Sequence, residues 1–205
     1  MPSYNSLLIP EHYFHVFNRA VGDEKIFRTE ENYDFFLRKF HAHIPPVATL
    51  YCYNLLPNHF HLFLKINPLK EIESLFLTRK GKKMATYDNK VISEFIMEQF
   101  SNFFNSYTKS YNKVYNRKGK LFMDHLKRNE VCGDAYYSKI IHYIHANAVQ
   151  HGYCRYIKDW PFSSYNQLIQ VNPDSYPAEE IFNWFGGKTG FILFHQQPIK
   201  RRNKH

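Results

Sequence analysis

The residues best suited to chemistry are His59 and His61, in the run Leu55-Leu56-Pro57-Asn58-His59-Phe60-His61-Leu62-Phe63-Leu64-Lys65-Ile66. The run is apolar and aromatic, with Pro57-Asn58 before the histidines and Asn67-Pro68 after them, which predicts a short buried strand. Side chains alternate along a strand, so the two imidazoles share one face while Phe60 and Leu62 take the other. Imidazoles so placed can bind one metal ion with little rearrangement, given a further ligand from elsewhere in the chain. Without that ligand they are ordinary polar positions on a half-buried strand. His41-Ala42-His43 has the same spacing but ends a predicted helix, where positions i and i+2 do not face each other.

The elements that must position this strand follow from apolar periodicity. His12 to Asn18 reads as a first strand. Thr29 caps a helix with an acidic first turn and Tyr33, Phe36, Leu37 and Phe40 at helical spacing, and Pro45-Pro46 stops it. Val47 to Leu55 is a second strand, joined to the histidine strand so closely that the two form an antiparallel hairpin. A short helix around Ile72 to Leu77 leads to the basic cluster Arg79-Lys80-Gly81-Lys82-Lys83, which suits a solvated loop or a phosphate-contacting one. A long helix follows from about Ile92 to Asn112, then the basic turn Asn116-Arg117-Lys118-Gly119-Lys120 and a strand over Leu121 to Val131. Asp134 caps a last long helix that runs to about Val149. On it, Tyr143 and Asn147 are four apart and share one side, at the edge of the apolar stripe.

Strand, helix, hairpin, helix, strand, helix predicts an α+β fold: a ferredoxin-like antiparallel sheet with helices on one face and a C-terminal helix plus tail. The open face carries His59 and His61 or lies against the last helix. The length of 205 residues fits a single domain spanning 1–205, with a core over about 12–152 and a C-terminal extension over about 153–205. The basic Lys200-Arg201-Arg202 end is expected to fray.

A net charge of +9 and an aromatic content of 18% direct attention to a polyanion, and to single-stranded nucleic acid in particular, whose bases stack on rings. Three scattered cysteines form neither a disulfide framework nor a zinc knuckle, which fits a reducing cytoplasm. Leu7-Leu8-Ile9 is too short for the apolar part of a signal peptide, and no apolar run has membrane-spanning length. The expectation is a cytoplasmic protein without a membrane partner.

Several segments together resemble one family. Leu56-Pro57-Asn58-His59-Phe60-His61-Leu62 resembles the HUH motif (histidine, hydrophobic, histidine) of single-tyrosine transposases of bacterial insertion sequences. Tyr143-Ile144-His145-Ala146-Asn147-Ala148-Val149-Gln150-His151-Gly152 resembles their catalytic helix, above all in REP-associated tyrosine transposases. Asn116-Arg117-Lys118-Gly119-Lys120-Leu121-Phe122, Asp159-Trp160-Pro161-Phe162-Ser163-Ser164-Tyr165 and Trp184-Phe185-Gly186-Gly187 are similar to further family segments, so the resemblance runs over roughly residues 12 to 195. The family carries Asn-Pro-Val where this chain has Asn147-Ala148-Val149, a change that keeps the asparagine and allows the helix to continue.

The resemblance implies a metal-dependent transposase and endonuclease that cleaves and rejoins single-stranded DNA flanked by a hairpin. It implies that His59, His61 and the Asn147 side-chain oxygen hold Mg²⁺ or Mn²⁺, and that Tyr143 is the nucleophile that forms a 5′-phosphotyrosine. His142 and His145 point away from Tyr143 on a helix, which suits surface or DNA-contacting positions. Arg79, Lys80, Lys82, Lys83, Arg117 and Lys118 are the first candidates for DNA binding, because they fall in loops beside the predicted sheet. Relatives of this kind occur as dimers or monomers, so a homodimer is one of two assemblies allowed. Three rivals stay open: another HUH nuclease such as a relaxase or replication initiator, a domesticated hairpin-binding protein without mobility, and a zinc hydrolase, for which an amide ligand is a poor choice.

Overall fold

Four antiparallel strands in the order β2-β3-β1-β4 carry the molecule. The computed structural model describes residues 5–170 and 177–199; the basic end at Lys200 lies outside them. The strands are β1 (Tyr13–Arg19), β2 (Ala48–Leu56), β3 (His59–Ile66) and β4 (Lys127–Val131). The helices are α1 (Glu30–His43), α2 (Leu69–Lys80), α3 (Asn89–Val114), α4 (Asp134–Gln150), and, in the tail, α5 (Tyr165–Gln170), α6 (Ala178–Asn183) and α7 (Lys188–His195). This is the ferredoxin-like α+β arrangement expected from the sequence, enlarged by α2 and by a helical tail. No helix among the described residues is long and apolar enough to cross a membrane.

Alternation on the strands divides the core in two. Phe14, Val16, Phe60, Leu62 and Leu64 face α1 and α3, where Phe36 meets Phe103 and Phe60 at ring-centroid distances of 4.9 and 5.2 Å. Buried Tyr107 on α3 donates to the Ile26 carbonyl at 2.7 Å and so ties the β1–α1 loop into this layer. Tyr51, Cys52 and Phe63 face the other way, against Ile141, Ile144 and Val149 of α4 and against α5, α6 and α7. A bulge between Leu50 and Cys52 changes the phase of β2. Tyr51 and Cys52 therefore both face the α4 layer, and from Tyr53 onward the alternation resumes in the opposite sense.

Two segments differ from the sequence expectation. The strand expected over Leu121 to Val131 is confined to Lys127–Val131, because β1 offers partners only from Tyr13 to Phe17. Residues 119–126 instead cross the end of the sheet: Val21 donates to the Leu121 carbonyl and Met123 to that of Arg19, while Leu121, Phe122 and Leu126 are buried. At the start of α4 the cap position belongs to Gly133, whose φ of 89° suits glycine, and Asp134 stands in the first turn where the helix dipole favours a carboxylate.

The tail is a structural layer in its own right. Residues 162–164 pair with the outer edge of β2, with Leu55 donating to the Phe162 carbonyl at 2.9 Å and Ser164 to that of Tyr53 at 3.1 Å. This covers an edge that would otherwise present unpaired backbone. Gly190 lets α7 pack on the Phe185 carbonyl; an added Cβ would lie 1.9 Å from that oxygen.

Under this layer His145 is fully buried, which corrects the expectation of a surface position: the tail covers the side of α4 that would otherwise meet solvent. Its Nδ1 lies 2.9 Å from His195 Nε2 and its Nε2 lies 2.9 Å from Ser164 Oγ. Burial lowers the pKa of His145 well below the ordinary value and that of His195 to about 3, so both are neutral in the folded chain near pH 7. The unfolded chain takes up those protons near pH 6.5, so stability is full above that value and falls as pH drops toward 4. Thermal melts from pH 7.5 to 4.5 should show this loss, and His195→Phe should reduce it by the share of one histidine. A flat wild-type profile would contradict a buried, neutral His145–His195 pair.

Candidate active site

His59 and His61 share the face of β3 that looks toward α4, with ring centroids 5.4 Å apart. Both Nδ1 atoms are engaged. His59 Nδ1 lies 2.7 Å from Asn58 Oδ1, and His61 Nδ1 lies 2.9 Å from Nε2 of His15 on β1. Burial lowers the pKa of His15 to about 4, so it is neutral near pH 7.

Helix α4 brings its residues to this face one turn at a time. The Tyr143 ring stands 5.8 Å from that of His61, and the His151 ring 4.9 Å from that of His59. Asn147 lies one turn from each on the same side of the helix. Its amide nitrogen donates to the Tyr143 carbonyl at 3.3 Å, while its Oδ1 is buried without a hydrogen-bond partner. A buried, unsatisfied acceptor on the helix side that carries Tyr143 and His151 is an oxygen donor suited to a cation. No group of three or more His, Cys, Asp or Glu side chains suited to a metal ion occurs among the described residues. The side chains that could supply donors here are His59 and His61, with the Asn147 amide oxygen. Ala148-Val149 continues the helix through Gln150, as expected in the absence of proline.

A cleft of about 690 Å³ opens over the pair, lined by His59, His61, Tyr143, His151, Arg19 and Lys127, among others. Two of these, Arg19 at the end of β1 and Lys127 at the start of β4, bring positive charge to the cleft. His15, His151, Arg19 and Lys127 are absent from the set read from the sequence. Two signals could have found them. His15 is polar between Phe14 and Val16, on the face shared with Arg19. His151 continues the spacing of four set by Tyr143 and Asn147.

The six cations singled out from the sequence are not gathered at the cleft. Arg79 and Lys80, expected in a loop, form the last turn of α2, and Lys82 and Lys83 follow it; Ile72 and Phe76 of this helix pack in the α1–α3 layer on the other side of the sheet. Lys80 is paired there with Glu98 at 2.8 Å. Lys118 is exposed on the turn after α3. Arg117 is built into the scaffold: its guanidinium donates to Glu24 at 2.9 Å, to Asn112 at 3.0 Å and to the Lys120 carbonyl at 2.6 Å. Arg117→Ala should lower unfolding free energy by about 1–3 kcal/mol, as expected for hydrogen bonds to a charged group. Denaturant unfolding checks this, and Lys118→Ala should be neutral beside it.

No protein-family model matches the sequence, and no curated protein matches it significantly. Among solved structures, the fold is similar to that of a REP-associated tyrosine transposase bound to a REP hairpin, with a TM-score of 0.53. The likeness covers 87% of this chain and 90% of that one, at 16% sequence identity. At that identity it is a likeness of fold.

Proposed function

We propose that this protein is a metal-dependent, single-tyrosine HUH endonuclease and transposase that cleaves and rejoins single-stranded DNA beside a hairpin. The observation that carries the reading is the convergence of Tyr143, His59, His61 and the unsatisfied Asn147 oxygen on one side of the sheet. It is supported by the fold shared with a transposase bound to a REP hairpin, and by the chain's net charge of +9. His59, His61 and Asn147 would hold Mg²⁺ or Mn²⁺, which supplies Lewis-acid stabilisation of charge on the phosphoryl oxygens.

The chain's own residues do the rest. Arg19 and Lys127 draw the DNA phosphates into the cleft. The Tyr143 hydroxyl attacks the scissile phosphorus in line and loses its proton to solvent. The Tyr143 Oη–P bond forms as the P–O3′ bond breaks, and the departing 3′ oxygen takes a proton. The phosphotyrosine conserves the phosphoester, so attack by another 3′-hydroxyl rejoins the strand without ATP.

Tyr143→Phe removes the nucleophilic oxygen and keeps the ring, so hairpin DNA should bind as before while the covalent adduct disappears. Denaturing gels with labelled hairpin-flanked single strands and Mn²⁺ read this directly. The double His59→Ala/His61→Ala variant should also form no adduct, while Tyr136→Phe, at an exposed position, should form it normally. An adduct on Tyr143→Phe would sink the nucleophile assignment. If the wild-type chain forms none on any such substrate, hairpin binding without chemistry is the better reading.

Binding should weaken steeply with salt, by a slope of about −0.7 per phosphate contact on a single strand. Lys127→Ala should make that slope shallower by roughly one contact, whereas Arg117→Ala should leave it unchanged. Equal slopes for wild type and Lys127→Ala would remove Lys127 from the DNA path.

A further inference from the structure

We propose that His15 is a positioning residue for the metal site, holding His61 in the tautomer that leaves its Nε2 able to ligate. The inference rests on the reading that His59 and His61 bind a cation. On the β1–β3 ladder Phe17 is opposite His61 and His15 opposite Phe63, which makes His15 a diagonal neighbour of His61 on the same face. Both imidazoles are buried, at 7% and 6% exposure, so the contact between them is shielded from water. The rings are nearly coplanar, 19° apart, and meet edge to edge with Nε2 of His15 2.9 Å from Nδ1 of His61.

At that separation one proton must lie between the two nitrogens, because two lone pairs repel and two N–H groups clash. With both rings neutral, only two arrangements satisfy this. If His15 donates, His61 carries its own proton on Nε2 and cannot bind a cation there. If His15 accepts, His61 is an Nδ1–H tautomer with a lone pair on Nε2. The hydrogen bond made by one ring nitrogen decides which nitrogen is left to a metal.

His59 supplies the comparison on the same strand. Its Nδ1 faces Asn58 Oδ1 at 2.7 Å, and a carbonyl oxygen can only accept, so His59 is held as Nδ1–H. The two histidines thus receive their orientation from different places: His59 from its sequence neighbour, His61 from another strand. His15 also stacks against Phe17 at 4.8 Å and meets the Tyr143 ring edge-on at 5.9 Å, so its own ring is held on two sides.

The test compares wild type, His15→Phe and His15→Gln as full-length chains. Phenylalanine keeps a ring against Phe17 and Tyr143 but has no nitrogen; glutamine reaches the same place with an oxygen that accepts. Long-range ¹⁵N–¹H correlation spectra of the metal-free proteins at pH 7.5 report the His61 tautomer. Expected are Nδ1–H in wild type and His15→Gln, and a shift toward Nε2–H in His15→Phe. Calorimetric titration with Mn²⁺ should then show affinity about 10-fold or more weaker for His15→Phe and restored by His15→Gln.

An Nε2–H His61 in the wild type would overturn the proposal, as would a tautomer unmoved by His15→Phe. If His15→Phe does not fold, the wild-type tautomer and His15→Gln decide. If wild type shows the Nδ1–H tautomer but neither Mn²⁺ binding nor a DNA adduct, the function reading fails while the hydrogen bond stands.

Discussion

The buried side chain of Asn54 determines how α4 lies along the sheet. Its amide nitrogen donates to two successive helix carbonyls, those of Ile144 at 2.7 Å and His145 at 3.3 Å. A helix packed on a sheet by apolar contacts alone can slide, since burial is not directional. Directed hydrogen bonds from a fully buried amide resist that slide, because breaking them strands a polar group away from water. Asn54 is the ladder partner of His61. The residue that anchors the helix is thus paired with the strand position that Tyr143 must meet. A slip of one turn, about 5.4 Å, would carry Tyr143 away from His61.

Asn54 faces α4 because of the bulge at Leu50/Cys52. In an unbroken alternation with Ala48 and Leu50, Asn54 would point into the α1–α3 core, where an amide has no partner. Leu50 and Tyr51 keep the faces that alternation gives them, while the bulge turns Cys52 and Asn54 toward α4 and Tyr53 and Leu55 into that core. Nothing in the composition of Thr49-Leu50-Tyr51-Cys52-Tyr53 marks the irregularity, since every residue there is a good strand former. The expected strand was right in type and extent, and its phase was hidden.

The same division explains how much of the rest was legible. Strands, helices and the hairpin at Pro57-Asn58 follow from local periodicity and turn chemistry, and so does the shared face of His59 and His61. Tyr143 and Asn147 were legible as one helical face. His15 was legible only as a polar residue on an apolar strand; its role was not, because it depends on which strand lies beside β3, and strand order is a property of the whole chain. Nor was the burial of His145: the tail that covers it is built from short helices of six to eight residues, too brief for periodicity to show which face they bury. Arg117 looked like a phosphate ligand because a basic turn has the same sequence whether its cations face solvent or hold Glu24.

The chemistry of the donor set bears on when a cation would be held. Two imidazoles and an amide are neutral ligands, and hard divalent ions such as Mg²⁺ favour oxygen, often from carboxylates or phosphates. Arg19 and Lys127 line the same cleft with one carboxylate, Asp23, and the excess positive charge opposes a cation that enters alone. A DNA phosphate reverses both disadvantages at once, since it supplies anionic oxygen to the ion and neutralises the nearby cations. Under the proposed function, metal and scissile phosphate should therefore bind cooperatively, each raising the affinity for the other by the same factor. Under that reading the basic cleft and the neutral ligands act together, so that the metal is held more firmly when the strand to be cut is present.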